Sequence, residues 1–229
     1  MGLPSETSPF PFSQGRAIVS ENIAGHVTRR RAAILFAGYT LSRPNDNADG
    51  FSRLSRLRTE TIEPQILAFS GHLLRWTGDG VFVEFESVIE AVRFAVGLQD
   101  ILAQMNQTSA DEQRIAIRIG INFDDVIVEE GEIFGEGVNI AARVQALAKP
   151  GSVYVSEAVH DQVTGKVNFE FESLGPQELK NIARPIRVYR MAGEIAELSE
   201  TLLATDARLA APLPSFDDRR HGGVAVRQL

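Results

Sequence analysis

The sequence predicts an α+β fold in which helices pack against one face of a β-sheet. Short β-rich runs, the first of them a continuous apolar run at 32–37, alternate with longer segments whose apolar residues recur at helical spacing. The chain has 229 residues, 44 % of them apolar, which is enough for one buried core. We therefore expect one folded domain at 29–192, an extended arm at 1–28, and a helix and tail at 193–229.

The first strand and the first helix are the elements with the plainest patterns. The run at 32–37 is apolar throughout, as expected for a central strand that is buried on both faces. A polar loop at 42–49 follows it. From 50 to 69 the apolar residues recur near helical spacing with Arg and Glu between them, which predicts an amphipathic helix adjusted at Pro64.

Two further β-rich runs predict a hairpin. The runs at 72–76 and 81–85 flank Thr77-Gly78-Asp79-Gly80, whose residues suit a tight turn. A second long helix follows at 88–102, because Ser87 precedes its apolar stripe and can cap the first turn.

The remaining elements complete a recognisable order. Strand runs at 115–121 and 126–129, separated by the polar residues 122–125, predict a second hairpin, and 138–147 resumes a helical pattern. Short strands are predicted near Val153, at 169–174 and at 186–191. The order strand, helix, hairpin, helix, hairpin, helix resembles a ferredoxin-like βαββαβ sheet with helices on one face, which is the fold we predict.

Composition argues against several classes of function. The chain has no cysteine, so it has no disulfide scaffold, thiolate metal site or cysteine nucleophile. A formal net charge of −7 disfavours duplex nucleic acid as the main ligand, because neutralising phosphates requires a basic face. No apolar stretch reaches the roughly 18 to 20 residues that span a bilayer, and 1–20 do not resemble a signal peptide. We expect a cytoplasmic protein with no nucleic-acid or membrane partner.

The hairpin tip is the first motif that can carry chemistry. Gly78-Asp79-Gly80 presents a carboxylate between two glycines, which lets a phosphate or its metal approach the backbone closely. Asp-Gly is also common at ordinary hairpin turns, so this motif alone is equally compatible with a plain turn.

The second motif is a Gly-rich loop that runs into a helix at 131–143, with the sequence GEIFGEGVNIAAR. Asn139 and Arg143 are four residues apart, so they share one face of that helix. An ordinary loop followed by a helix with a surface arginine is the alternative interpretation.

Together with Arg118-Ile119-Gly120-Ile121-Asn122 and the segment at 179–189, these motifs resemble the catalytic domain of class III adenylate and guanylate cyclases of the bacterial group, over about 30–191. The resemblance implies that two chains pair head to tail, as a homodimer or as a heterodimer with another cyclase-like chain. Each interface site would take metal ligands from one chain and base, ribose and transition-state contacts from the other. It implies conversion of ATP, with GTP as the alternative, to the cyclic nucleotide and pyrophosphate with two Mg²⁺ or Mn²⁺ ions.

The resemblance also implies a role for individual residues. Asp79, beside the nucleotide-binding Gly78, matches the second metal-binding aspartate, and Arg118 matches an arginine that binds the triphosphate. Asn139 matches the asparagine that orients the ribose, and Arg143 matches the arginine that stabilises charge on the α-phosphate. Ring closure needs such groups, because the 3′-hydroxyl attacks the α-phosphorus while pyrophosphate leaves and negative charge must be offset.

Three features depart from the family pattern. Gly38 stands where the first metal-binding aspartate is expected, and 39–42 lack the glycine and aromatic that shape the phosphate-binding loop. Arg75 and Glu132 stand where a lysine and an aspartate select adenine. We therefore expect an incomplete two-metal site and impaired activity, and a degenerate cyclase homology domain that binds nucleotide or only dimerises is the alternative. Acidic residues that are candidate substitutes for the missing ligand are Asp46, Asp49, Asp124 and Asp125.

Overall fold

The computed structural model describes residues 28–41, 48–109, 114–129 and 132–192. The strands are β1 (Thr28–Leu41), β2 (Gly71–Trp76), β3 (Gly80–Phe85), β4 (Ile115–Glu129), β5 (Glu132–Phe134), β6 (Val153–Ser156), β7 (Glu170–Gln177) and β8 (Ile186–Ala192). The helices are α1 (Ala48–Arg56), α2 (Glu63–Ala68), α3 (Val88–Gln107), α4 (Glu136–Leu147) and α5 (Glu157–Val163), and a π-helical segment at Leu57–Ile62 joins α1 to α2. Apart from Thr28, the predicted arm and the predicted C-terminal helix and tail lie outside the described residues.

The strands form one sheet in the order β2-β3-β1-β4-β6-β8-β7, with β5 paired to β4. β1 is central and antiparallel to both β3 and β4. It is longer than the predicted strand because the Arg29-Arg30-Arg31 run continues the pairing with β4, where charge does not interrupt the backbone ladder. The α+β prediction is confirmed.

The second hairpin predicted within 115–129 is wrong. β4 runs through without a turn, and β1 pairs with it from Thr28↔Val128 to Leu41↔Ile115. The polar residues at 122–125 stay in the strand because they find partners there. The Asn122 amide donates to the Gly137 carbonyl at 3.3 Å, and Asp125 forms an ion pair with Arg29 at 3.0 Å. The strand that pairs back onto β4 is β5.

The first helical segment follows the prediction in extent but differs in its irregularity. The turn widens to a π-helix at Leu57–Ile62 instead of bending at Pro64. Pro64 lies in the first turn of α2, where its missing N–H costs little. The predicted cap of α3 is confirmed, because the Ser87 hydroxyl accepts from the Glu90 backbone N–H at 3.3 Å. The short helix α5 was not predicted.

Helices cover both faces of the sheet, and this arrangement positions the candidate site. α2, α3 and α5 pack with alternate β1 residues such as Leu35 on one face, as predicted for the βαββαβ unit. The sequence predicts helices on one face alone, but α4 packs on the opposite face, where Ala141 belongs to a separate cluster with Ile34 and Phe36. None of the described helices combines the length and apolarity needed to cross a bilayer.

Candidate functional site

Three neighbouring strands bring the first group of predicted site residues together. Gly38 on β1 pairs with Gly80 on β3 and with Arg118 on β4. Residues that are directly opposite across a ladder point to the same face, so Gly38 and Arg118 lie on the face that α4 covers. Asp79 directly precedes Gly80 at the hairpin tip, beside Gly38. The structure therefore groups Gly38, Asp79 and Arg118, as the sequence predicts.

The hairpin tip is tied to β1, which a plain turn does not require. The Tyr39 backbone N–H donates to the Asp79 carbonyl at 2.9 Å, and the Tyr39 hydroxyl donates to the Gly78 carbonyl at 2.8 Å. The Thr77 hydroxyl donates to Asp79 Oδ1 at 2.9 Å, while the Thr77 backbone N–H closes the turn onto Gly80 at 2.8 Å. These bonds hold the exposed Asp79 carboxylate in one place. Sequence reasoning missed both Tyr39 and Thr77 as supporting residues.

The environment of Tyr39 keeps its phenol protonated. Burial raises the pKa of Tyr39 above 10.0, the nearby Arg58 guanidinium lowers it, and the Asp79 carboxylate raises it again, with a net upward shift. Arg58 stacks over the Trp76 ring at 3.8 Å from its centroid, so Trp76 supports a cation beside the tip. The neutral Tyr39 hydroxyl is therefore a stable donor to the turn.

α4 carries the second group of predicted residues. It begins after Gly135, whose φ of 138° favours glycine. Successive residues of a helix are rotated by about 100°, which places Asn139 and Arg143 on the side opposite Ala141, the residue buried against the sheet. Asn139 is exposed and Arg143 is half-buried. The structure therefore separates Asn139 and Arg143 from Asp79 of the same chain.

Two arginines of the candidate site each have one donor without a partner. The Nε atoms of Arg118 and Arg143 are buried without a hydrogen-bond partner within the described part of the chain. An unpaired buried donor costs free energy, which an acceptor reaching it would offset. Both positions are those at which the sequence predicts contacts with the triphosphate.

The two residues predicted to contact the base lie on different elements. Arg75 on β2 is exposed, with its guanidinium 4.8 Å from the Phe82 ring centroid, on the face that α4 covers. The backbone of Glu132 belongs to β5 and pairs with Glu129, and its side chain lies outside the described residues. Ile133 of β5 and His72 of β2 line the same pocket of about 240 Å³, so β5 lies near β2.

A buried glutamate that sequence reasoning missed also lines this pocket. The Glu84 side chain is 3 % exposed and forms an ion pair with Arg30. Its only sequence signal is a single acid within the otherwise apolar run of β3. The pair stabilises the β1–β3 junction, in which Glu84 lies opposite Ile34.

Gln145 is a further residue near the site that sequence reasoning missed. It is 5 % exposed, on the sheet-facing side of α4. A Cβ built on Gly38 would lie 3.0 Å from Gln145 Cδ and would overlap the Nε2 atom of the same amide. The space in which a side chain at Gly38 would begin is therefore occupied. The feature that could have pointed to Gln145 was a pair of strand glycines, Gly38 and Gly120, both of which face α4 where it carries this long polar residue.

The donors present do not fit a two-metal centre. Asp79 is the one carboxylate in the Gly38, Asp79 and Arg118 group, and no cluster of three or more His, Cys, Asp or Glu suited to a metal ion occurs among the described residues. Asp124 pairs across the sheet with Ala32, six residues before Gly38, which is about 20 Å along the strand. Asp124 and its neighbour Asp125 therefore cannot substitute for the missing ligand. Asp46 and the Asp49 side chain lie outside the described residues.

Comparison with known proteins gives consistent matches. Residues 79–193 match the family model described as "Adenylate and Guanylate cyclase catalytic domain". The chain is 39 % identical over 166 residues to "Putative adenylate cyclase 3" of Rhizobium meliloti, covering 71 % of this chain and 28 % of that protein. A further relative, the uncharacterized protein Rv2212 of Mycobacterium tuberculosis, is 28 % identical over 167 residues, and the chain covers 40 % of its length. The chain thus spans well under half of these curated relatives.

Solved structures match the same region. The crystal structure of an adenylate/guanylate cyclase/hydrolase from Silicibacter pomeroyi has 37 % identity and a TM-score of 0.68, covering 73 % of this chain and 99 % of that one. The adenylyl cyclase CyaB from P. aeruginosa has 17 % identity and a TM-score of 0.64, covering 73 % of this chain and 96 % of that one. At that identity the second match speaks for the fold alone.

Proposed function

Because this chain belongs to the adenylate and guanylate cyclase catalytic domain family, we propose that it binds a nucleoside triphosphate across a head-to-tail dimer interface and converts ATP to cyclic AMP and pyrophosphate at a reduced rate. One observation carries the proposal. Asn139 and Arg143 face away from the sheet, whereas Asp79 and Arg118 belong to the sheet face and its edge. One chain cannot direct both groups at one nucleotide, but two chains can. The name of the 39 % identical relative, "Putative adenylate cyclase 3", supports the choice of ATP, whereas the family model names adenylate and guanylate cyclases alike.

Arg143 has the central chemical role in this proposal. The ribose 3′-hydroxyl oxygen forms a bond to the α-phosphorus, the bond from that phosphorus to the bridging oxygen breaks, and the hydroxyl proton leaves to solvent. Negative charge grows on the α-phosphate oxygens and on the departing pyrophosphate. The half-buried Arg143 carries a planar guanidinium, a donor group suited to offset the charge on the α-phosphate.

The other residues position the substrate. Asn139, exposed on the same helix face one turn earlier, offers an amide to the ribose. Arg118 of the opposite chain holds the triphosphate through its guanidinium, and Asp79 lies at the same end of the nucleotide. Arg75 and Glu132 are proposed to contact the base, where they keep the charges of the family pair but differ in length. ATP is thus our first choice, and GTP is the alternative substrate.

A degenerate, non-catalytic partner is the second candidate function, and one observation favours it. Gly38 provides no carboxylate beside Asp79, so one of the two carboxylates that would hold metal ions at the triphosphate end of the site is missing. Losing one preorganised stabilising group costs about 3 to 4 kcal/mol, or a hundred- to thousandfold in rate. Such a chain still dimerises and still presents Asn139 and Arg143 to a partner.

The test is cyclic nucleotide production from ATP and from GTP, each with Mg²⁺ and with Mn²⁺. We expect slow formation of cyclic AMP that falls about a hundred- to thousandfold in Arg143→Ala. Arg187→Ala is the matched control, because Arg187 pairs with Glu157 on an exposed surface and should leave the rate unchanged. Sedimentation with and without nucleotide completes the test. A strictly monomeric protein at tens of micromolar, or equal losses in both variants, would contradict the proposal.

A further inference from the structure

We propose that Gln145 closes the metal half of this chain's own site, so that Gly38 and Gln145 form an interlocked pair and a carboxylate restored at Gly38 alone cannot bind a cation. The location of that half rests on the function proposed above. Gln145 of α4 and Gly38 of β1 meet where the helix packs on the strand. Closure by Gln145 is an obstacle to metal binding in addition to the loss of an aspartate.

The amide of Gln145 fills the space that a side chain at Gly38 requires. A Cβ there would approach Cδ of Gln145 to 3.0 Å and would overlap its Nε2 atom. The next atoms of an aspartate, its carboxylate oxygens, extend further in the same direction. Asp79 is close by, since its carbonyl oxygen is 3.6 Å from the same Cβ position. The amide therefore blocks the point from which a second carboxylate would face Asp79.

The helix cannot retreat to make room without losing its contact with the sheet. At Gly120, two residues along β4 from Arg118, α4 lies directly on the strand. A Cβ on Gly120 would come within 2.6 Å of both the Ala141 carbonyl oxygen and Gln145 Cα. Backbone atoms of α4 thus touch the sheet at the residue that carries the blocking amide. Gln145 is only 5 % exposed, so turning its side chain aside changes the packing around it.

An exchange of side-chain volume should open the closed half. Gly38→Asp adds a carboxymethyl group, and Gln145→Ala removes a slightly larger amide-bearing chain from the same space. The exchange keeps the packed volume nearly constant, whereas insertion alone overpacks the site. The double variant Gly38→Asp/Gln145→Ala therefore places two carboxylates, at 38 and 79, around a cleared volume.

Mn²⁺ binding, measured on the full chain without nucleotide by electron paramagnetic resonance, tests this directly. We expect the double variant to bind Mn²⁺ at least about 10-fold more tightly than the unmodified chain or Gly38→Asp, because it adds a carboxylate ligand, and groups that only orient metal ligands already change affinity by about 10- to 100-fold. Adding Asp79→Asn to the double variant should abolish the gain. Gly38→Asn/Gln145→Ala is the matched control, with the same volume and no carboxylate, and it should gain nothing.

Two results would overturn the inference. If Gly38→Asp alone binds Mn²⁺ as tightly as the double variant, the amide turns aside freely and closes nothing. If the unmodified chain binds Mn²⁺ tightly and Gln145→Ala loses it, the amide is a ligand instead of a plug.

Thermal unfolding provides a second readout that does not depend on any metal. Gly38→Ala should lower Tm by about 2 to 10 °C in the unmodified background, through overpacking against the amide, and should lower it far less in Gln145→Ala. Equal losses in both backgrounds would contradict the interlocked pair. Neither measurement requires a dimer or turnover, so a chain that fails to make cyclic nucleotide can still confirm the pair, and the reverse also holds.

Discussion

Replacing Gly120 by alanine forces a methyl group into the backbone of α4. The new Cβ would lie 2.6 Å from the Ala141 carbonyl oxygen and from Gln145 Cα, and closer still to the Gln145 nitrogen, whereas ordinary contacts begin near 3.4 Å. Backbone atoms cannot rotate away as a side chain can. The helix must therefore move by about 1 Å, which opens gaps beneath Val138 and Val144.

The expected cost is large for a single methyl group. Overpacking a core typically costs 1 to 3 kcal/mol, and contact with backbone puts Gly120→Ala at about 3 kcal/mol of unfolding free energy. For a chain of this size that corresponds to a Tm lower by about 6 to 12 °C. Urea unfolding followed by circular dichroism measures the free energy of unfolding directly.

Gly78→Ala is the matched control for this prediction. A Cβ on Gly78 would meet nothing within 4 Å, so its free energy of unfolding should stay within about 0.5 kcal/mol of the unmodified chain. If Gly120→Ala is as stable as Gly78→Ala, α4 does not rest on the sheet as described, and the placement of Gln145 fails with it.

Two further predictions concern the supports around the site. Arg30→Ala should lower the free energy of unfolding by about 1 to 2 kcal/mol, because it leaves the 3 % exposed Glu84 carboxylate unpaired while the 41 % exposed Arg30 is partly screened. Arg29→Ala, which breaks an exposed pair, should change it by under about 0.5 kcal/mol, and equal effects in urea unfolding would refute the distinction. The folded-state pKa of Tyr39 lies above its unfolded value near 10. The contribution of Tyr39 to folding stability is therefore fully present below pH 10 and is lost as the pH rises through the folded-state pKa. Tyr39→Phe should remove that alkaline loss, also seen in urea unfolding, and an unchanged alkaline slope would show that another group causes it.

Local signals in the sequence predicted most of the fold. The apolar run of β1, the turn residues of the first hairpin and the Ser87 cap each act over a few residues, and all three were confirmed. The π-helical segment at Leu57–Ile62 has no sequence pattern of its own, so it could not be predicted.

Errors arose where tertiary contacts outweigh local preference. The polar residues at 122–125 have a turn-like composition, yet β4 continues through them because Asn122 bonds to Gly137 and Asp125 pairs with Arg29. No local pattern shows that two distant segments will meet in this way.

In the candidate site, too, local motifs were predictable and tertiary contacts were not. Asp79, Arg118, Asn139 and Arg143 carry strong motifs and could be named from the sequence. That the last two face away from the first two depends on which side of α4 is buried, which only the packed structure shows. Gln145 has no motif of its own, and its importance comes from its contact with Gly38, more than a hundred residues earlier.

The division of the site between two chains is tested most directly by mixing this chain with a cyclase chain that keeps both metal-binding aspartates but has its own ribose-orienting asparagine and transition-state arginine replaced. Only one composite site is then complete, with Asn139 and Arg143 supplied by this chain. Heterodimer formation is verified by crosslinking, and cyclic AMP is measured in the mixture and in each preparation alone.

We expect activity in the mixture that neither preparation shows alone. Arg143→Ala in this chain should remove about a hundred- to thousandfold of it, and Asp79→Ala should have an effect at least about tenfold smaller, since this Asp79 lies in the other, incomplete site. Equal losses from Arg143→Ala and Asp79→Ala, or no gain in confirmed heterodimers, would contradict the claim.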